Sequence, residues 1–370
     1  MNKDEAIKHL YENTLLPTMK DNLSDLEMYF RQNRTVLVEQ YIESFREICI
    51  LIKNAQQNQA KDAIAYIHYS MLRTSMLEST VDYLIEAYSS KWYWDDVESL
   101  AYYDASWAYQ SLDSMMKLLE TTRKKYMNLI EKSDIQRMIL ENIGYYHQFV
   151  IALARISIPQ AIQLTEYQQI LKTDCLRIRI GEFKDYSEDV HVDDRTAKDE
   201  RSIRRQLMDR AVDMACTYKS FTGIQLHEEI IDDMDLRYSD FSRSHLEGSK
   251  FTNCILIGTR WIGCQLQRVD FSYSQLCDAD FRDCDLFGAS FVHTDSRGIQ
   301  DDLLKSPGLI GLNFENANLE NADLSDAMLE GANFHHAVMK NTIISAEYLN
   351  RLKLTETQIQ SIHWITREEV

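Results

Sequence analysis

His335-His336 with Asp326 nearby, the close-set aspartates Asp278, Asp280, Asp283 and Asp285, and seven cysteines are the side chains whose types could ligate a metal, move a proton or attack an electrophile. Paired carboxylates do acid–base work only in a cleft that shifts their pKa values. Around these residues the sequence carries no Walker loop, no G-x-G-x-x-G, no H-E-x-x-H, no C-x-x-C and no G-x-S-x-G. Arg204-Arg205 lacks the glycine-rich loop of a phosphate site and is read as a solvated helix face. No catalytic residue, metal ligand or cofactor is therefore assigned, and the chain is read as non-enzymatic. An active or ligand site, as an alternative, would have to sit in the N-terminal half.

The elements that carry those side chains follow from a repeat. A large apolar residue returns every fifth position at Ile231, Leu236, Phe241, Leu246, Phe251, Leu256, Trp261, Leu266, Phe271, Leu276, Phe281, Leu286 and Phe291, and Ser296 breaks the run. It resumes at Phe314, Leu319, Leu324, Leu329, Phe334, Met339 and Ile344. Two positions earlier in most units sits a small residue, such as Ser239, Cys254, Cys264, Cys284 or Ala317. A period of five suits neither a helix nor a strand, so the chain must turn a corner once per unit and bury each apolar face against the next coil. Residues twenty apart match in type, so four units per coil file Phe241, Trp261, Phe281, Phe314 and Phe334 into one column and Phe251, Phe271 and Phe291 into another. Coils then lie about 4.8 Å apart. Cys264 falls under Cys284, and small buried thiols explain the pair better than a redox or metal site. His335 and His336 point from neighbouring outward positions and cannot converge on one ion with Asp326, and a convex wall gives the aspartates no cleft.

Units such as Ala279-Asp280-Phe281, Ala317-Asn318-Leu319, Ala322-Asp323-Leu324 and Ala332-Asn333-Phe334 resemble the pentapeptide-repeat family, whose unit is written A(D/N)Lxx. The resemblance covers about a third of the chain. It implies a right-handed quadrilateral β-helix over 225–344. Some relatives protect type II topoisomerases by imitating DNA, and some dimerise through a C-terminal element; a homodimer through the C-terminal cap is the corresponding expectation here. Thirteen extra residues between Ser296 and Phe314 keep the phase, so an insertion near 297–311, with Asp301-Asp302, bulges from a corner.

The net charge is −18, and Leu226–Ile344 alone holds twenty Asp/Glu against nine Lys/Arg, a net of −11. Such a surface disfavours direct binding of nucleic acid or an anionic membrane and suits a basic protein partner or DNA mimicry. No window has the length and apolarity of a membrane span. An odd cysteine count and an N-terminus without a leader pattern suggest a reducing cytoplasm.

In residues 1–171, apolar residues at three- and four-residue spacing, for example Met71, Leu72, Met76, Val81, Leu84 and Ile85, predict an antiparallel α-helical bundle. Helices are expected near Lys3–Gln32, Val36–Ala55, Lys61–Ser89, Trp94–Lys132 and Ile135–Ile156, with breaks at Pro17 and Pro159 and caps at Thr35 and Asp134. Its aromatic centre runs from Trp92 through Tyr103 to Tyr109; most of it is assigned to the core, and Trp92 and Trp94, at a junction, are the expected exposed pair. Residues 172–224, with a strand at Leu176, Ile178 and Ile180 and a helix bearing Ile203, Leu207, Ala211 and Met214, are expected to cap the open edge of the first coil. Residues 345–370 form a helical cap on the last coil, with Leu349, Leu352, Ile359 and Ile362 inward. The fold class is thus α+β multidomain. The function expected is protein interaction or scaffolding, with Trp92, Trp94, Asp278, Asp283, Asp301 and Asp302 as the candidate surface; action on a type II topoisomerase is the alternative.

Overall fold

Asn2 opens helix α1 (Lys3–Leu10) with a capping box: its Oδ1 accepts from Glu5 N at 2.8 Å and the Glu5 carboxylate accepts from Asn2 N at 2.9 Å. The computed structural model describes every residue except 74, 78–80, 128, 197–198, 209–215, 298–307 and 367–370. It divides into Met1–Arg195 and Thr196–Val370. From α1 the chain runs through a wide π-turn, Tyr11–Leu15, into the 42-residue helix α2 (Leu16–Gln57). The breaks expected at Pro17 and before Thr35 do not occur. Pro17 sits in the first turn of α2, where a missing N–H costs little. Thr35 stays helical because Phe30, Leu37, Val38, Tyr41, Phe45 and Ile48 bury one continuous stripe across it.

The helical bundle expected over 1–171 is not what forms. Strands β1 (Ile64–Met71), β2 (Asp82–Ser89) and β3 (Leu100–Asp104) follow α2, then helices α3 (Leu112–Arg123), α4 (Lys132–Asn142), α5 (Gly144–Ala161) and α6 (Thr165–Gln169), then strands β4 (Lys172–Glu182) and β5 (Ser187–Asp194). The sheet order is β3-β2-β1-β4-β5, with β1 and β4 parallel and the other pairs antiparallel. The apolar positions between Met71 and Ile85 match helical spacing by coincidence. β1 is central and buried on both faces, which erases any alternation, while β2 does alternate, burying Tyr83, Ile85 and Ala87. β4 matches its expected alternation, but it pairs with β1 and turns back into β5. At Gly181 an added Cβ would stand 2.3 Å from the Tyr186 carbonyl oxygen, so only glycine fits that hairpin. Asp134 acts at the third position of α4, accepting from Glu131 N at 2.9 Å, and Pro159 lies inside the last turns of α5.

One face of the sheet packs on α2 and α5. Tyr41 stacks on Tyr69 at 4.9 Å between ring centroids, and Phe30 meets Phe149 edge-on at 5.9 Å. Tyr83 Oη lies 2.6 Å from both Tyr109 Oη and His147 Nδ1. Burial pushes His147 down to about 4, and burial followed by the Arg179 charge pushes His68 down to about 4. Both rings are therefore neutral in the folded state and protonate near 6.5 when unfolded. A depressed base makes stability fall as pH drops below about 6.5, the loss being complete near pH 4 and amounting to up to about 3 kcal/mol per histidine. We expect urea midpoints of the N-terminal unit to fall over that window in the parent protein and to fall less in His147→Gln.

The second unit begins at helix α7 (Glu200–Met208), whose Ile203 and Leu207 join an apolar core with Phe221, Ile224 and Leu226, while Arg204 pairs with Glu229. Of the segment 172–224 expected to cover the solenoid, α7 packs there, while β4 and β5 pair within the five-stranded sheet of the first unit, and Ala211 and Met214 lie outside the described residues. From Ser220 the five-residue repeat forms a β-helical solenoid. Parallel bridges join residues twenty apart, as in Ser220↔Asp240, Asp240↔Arg260 and Arg260↔Asp280, and strands β6 (Ile230–Asp232) and β7 (Lys250–Thr252) share that register. A left-handed residue recurs every fifth position, for instance Tyr238, Arg243, Gly248, Asn253 and Gly258, and turns the corners.

Large residues stack inside as the columns require. Successive centroids in the series Phe221, Phe241, Trp261, Phe281, Phe314 and Phe334 are 4.9, 4.4, 5.8, 5.4 and 5.3 Å apart. Phe251, Phe271 and Phe291 stack at 5.7 and 5.2 Å and meet the first column edge-on. The small inward residue ties coils together: Ser244, Ser249 and Ser274 donate to Phe221 O, Leu226 O and Phe251 O. The Cys264 and Cys284 thiols donate in the same way to Phe241 O at 2.9 Å and Trp261 O at 2.8 Å. Across the insertion the register moves to Asp280↔Asn313, Asp285↔Asn318 and Ser290↔Asp323, thirteen beyond twenty, as the phase of the sequence requires.

The solenoid ends on strands β8 (Asp323–Leu324) and β9 (Ile343–Ser345), a 3-10 turn at Ala346–Tyr348, helix α8 (Glu356–Ser361) and strand β10 (His363–Ile365), which pairs in parallel with β9. Gln358 Nε2 donates to Phe334 O and Ala337 O. Leu352 and Ile362 enter the core as expected, but Leu349 is exposed and Ile359 half-buried; Tyr348 fills the place given to Leu349.

Candidate interaction surfaces

Trp92 and Trp94 lie on a 3-10 turn between β2 and β3, not at a helix junction. Lys61 and Asp95 form an ion pair of 3.0 Å with side chains 0 % and 8 % exposed, and the Asp95 carboxylate also accepts from Ser89 N at 2.7 Å and Val97 N at 3.2 Å. These bonds fix the turn to the sheet. Trp92 folds onto the sheet, edge-on to Tyr66 at 3.9 Å and His68 at 5.2 Å and stacked on Tyr88 at 6.0 Å, with the Arg179 guanidinium 5.7 Å from its ring. Half-buried, it is a packing residue. Trp94 is 86 % exposed. Tyr103, Trp107 and Tyr109 are core, with Trp107 Nε1 donating to Tyr103 Oη at 2.9 Å.

In the C-terminal unit, Asp278 and Asp283 occupy successive corners, both in the left-handed conformation. Asp278 does not project as a free acid. Its carboxylate accepts from Gly308 N at 2.8 Å, Ile310 N at 3.0 Å and Gly311 N at 2.7 Å, which ties down the return of the insertion. Sequence reasoning missed this because the partners are backbone amides thirty and more residues away. Asp278→Ala should release those amides: we expect their hydrogen exchange to quicken by the equivalent of about 1.5–3 kcal/mol while the solenoid melting point stays nearly unchanged. Asp283 is exposed and accepts from Asn316 Nδ2 at 3.0 Å. Asp301 and Asp302 lie outside the described residues.

The outer wall is acidic but partly neutralised. Arg237 pairs with Asp235, Arg260 with Asp240, Arg268 with Glu247 and Arg282 with Asp280, at 2.6 to 2.9 Å. Glu228, Asp233 and Asp283 are exposed corner carboxylates. A shallow groove of 570 Å³ runs past His227, Glu228, Ile230, Glu247, Lys250 and Arg268, with charges of both signs and no convergent set. His335 and His336 rings touch at 3.8 Å, and His335 lies 3.9 Å from Glu315 rather than near Asp326. Among the described residues no three His, Cys, Asp or Glu side chains are grouped to hold a metal ion, and no helix is long and apolar enough to cross a membrane. All seven cysteines are free; burial pushes Cys49 up to about 12 and Cys254 up to about 11, far from a reactive thiolate.

Comparison with known proteins bears on this unit. Residues 264–295 and 309–345 match the family model of pentapeptide repeats in eight copies. No curated protein sequence matches the chain. Similar solved structures include a pentapeptide repeat protein from the Arabidopsis thaliana thylakoid lumen, at 19% identity over 37% of this chain and 73% of that one, TM-score 0.21. HetL, a pentapeptide repeat protein involved in heterocyst differentiation regulation in the cyanobacterium Nostoc sp. strain PCC 7120, matches at 16% identity over 40% of this chain and 98% of its own, TM-score 0.19. Full-length QnrB1, a plasmid-mediated fluoroquinolone resistance protein, matches at 19% identity over 40% and 94%, TM-score 0.18.

Proposed function

We propose, from a C-terminal half built of pentapeptide repeats, that this protein is a non-enzymatic interaction or scaffold protein whose solenoid presents a rigid acidic surface to a basic protein partner. In this reading the coil is a right-handed quadrilateral, closed at one end by α7 and at the other by α8 and β10. The observation that carries it is the pairing of an uninterrupted stacked core with outward carboxylates such as Glu228, Asp233 and Asp283. A stacked core fixes the spacing of the surface charges, so little ordering entropy is lost on binding. Seven free thiols support a reducing compartment.

Direct imitation of DNA would need an unbroken acidic stripe, and the paired arginines Arg237, Arg260, Arg268 and Arg282 count against one. Affinity capture with the full chain at low salt, against Glu228→Lys/Asp233→Lys/Asp283→Lys, tests the reading. A basic partner captured by the parent and lost by the triple variant is the expected result. Equal capture by both, or none by either, contradicts it. Inhibition of gyrase supercoiling by the parent and not by the variant would move the assignment to the topoisomerase alternative.

A further inference from the structure

The two edges of the N-terminal sheet differ in chemistry. β5 carries Glu188, Asp189, His191, Asp193 and Asp194, a charged edge that repels a further strand. β3 reads Leu-Ala-Tyr-Tyr-Asp, with no proline, no lysine and no charge before its last residue. Ala87 N donates to Ser99 O at 3.2 Å and Ala105 N to Val81 O at 2.9 Å, with register pairs Ile85↔Ala101 and Tyr83↔Tyr103 between them. In an antiparallel ladder, bonded pairs alternate with non-bonded ones. The N–H and C=O groups of Leu100, Tyr102 and Asp104 therefore point away from β2, along the open edge. The side chains of the same residues are on the surface, Leu100 at 38 % and Tyr102 at 59 % exposure, and Trp94 stands on the turn that leads into the strand.

Charge selects what can pair there. Residues 94–106 contain Asp95, Asp96, Glu98 and Asp104 and no lysine or arginine. Asp95 is matched by Lys61, but Asp96, Glu98 and Asp104 are exposed, and Asp104 faces Asp82 directly across the β2–β3 pair. Like charges opposite each other destabilise a ladder, and a cation delivered by an incoming strand removes that cost. A second copy of this chain does the reverse: two-fold antiparallel pairing through Tyr102 sets each Asp104 opposite Leu100 and diagonal to Glu98 of the other copy.

We propose that the β3 edge is a docking site for an extended segment of a partner protein, which adds to the sheet as a sixth strand, with apolar residues at alternate positions and Lys or Arg on its flanks. Main-chain bonds to Leu100, Tyr102 and Asp104 hold the segment, Trp94 and Tyr102 give it an aromatic platform, and the acids fix its flanks. The site does not rest on the solenoid surface proposed above, and each is tested by its own variant.

The test uses the full chain and two synthetic peptides, Lys-Lys-Val-Thr-Val-Thr-Val-Lys-Lys and the same core flanked by glutamates. We expect the lysine peptide to slow hydrogen exchange at Leu100 and Tyr102, to bind with a Kd of about 100 μM and to weaken about tenfold in Leu100→Lys/Tyr102→Lys, a variant that keeps the parent melting temperature. Binding should also weaken about fivefold between about 0.05 M and about 0.5 M salt. Three results overturn the proposal: no protection of β3 at about 1 mM peptide, equal binding of the glutamate peptide, or protection of β5 instead. Concentration-dependent dimerisation that protects β3 without peptide would assign the edge to a second copy and overturn it as well.

Discussion

Phe281→Ala should lower the stability of the C-terminal unit by about 3–5 kcal/mol. The ring is fully buried, stacked on Trp261 at 5.8 Å and on Phe314 at 5.4 Å, and edge-on to Phe271 and Phe291 at 5.3 and 5.5 Å. Its neighbours are held by bridges to the coils above and below, so they cannot collapse into the space. A cavity persists, and the cost is the lost transfer energy plus that cavity. Asp283→Ala, two residues on and outward, removes one exposed bond to Asn316 and should change stability by less than about 0.5 kcal/mol. Thermal melts of the two variants side by side check the inward and outward assignment. Similar losses from both would mean that the large residues do not form the core.

Lys61→Met should cost the N-terminal unit about 3–5 kcal/mol, because it leaves the Asp95 carboxylate buried without its cation. Asp95 also accepts two backbone N–H groups, so the turn bearing Trp92 and Trp94 loosens with it. Replacing the carboxylate by an amide keeps an acceptor and removes the charge. Lys61→Met/Asp95→Asn should therefore regain at least half of the loss, and Trp94 fluorescence should return toward that of the parent. A double variant as unstable as the single one would show that the lost hydrogen bond from Lys61 Nζ to Val97 O, rather than the unpaired Asp95 charge, carries the effect.

How much of the structure was legible in the sequence follows from what each residue reports locally. In the solenoid every unit repeats one environment, so the period of five, the columns through Phe281 and Phe271, the inward cysteines and the thirteen-residue insertion could all be counted off before any coordinates. The N-terminal unit has no such redundancy. β1 is buried on both faces and carries no alternation, and the stretch from Met71 to Ile85 happens to match helical spacing, so the pattern there points to helices where a sheet forms. A usable signal is present at β2, where Tyr83, Ile85 and Ala87, with Val81 just before the strand, alternate with polar or half-exposed residues, and in the tyrosine and β-branched content of β1.

Site residues divide in the same manner. Trp94 was legible as an exposed aromatic because residues 90–99, rich in charge and serine, break the apolar pattern around it. Trp92 looks identical in sequence, and only the positions of Tyr66, His68 and Tyr88 on two strands decide that it packs inward. Asp278 and Asp283 occupy equivalent repeat positions, yet one ties down the insertion and the other stays in solvent.

Phase continuity across the insertion underlies the columns and the surface built on them, and one cross-link tests it most directly. Asp283 and Asn316, thirty-three residues apart, hydrogen-bond side chain to side chain at 3.0 Å on adjacent coils. Asp283→Cys/Asn316→Cys should form a disulfide under mild oxidation, identified by mass spectrometry as a linked peptide pair in the digest of the unreduced, denatured protein. Asp283→Cys/Asn321→Cys, the pair that a slip of one five-residue unit would stack, should not. Cross-linking of the second pair and not the first would contradict the solenoid register.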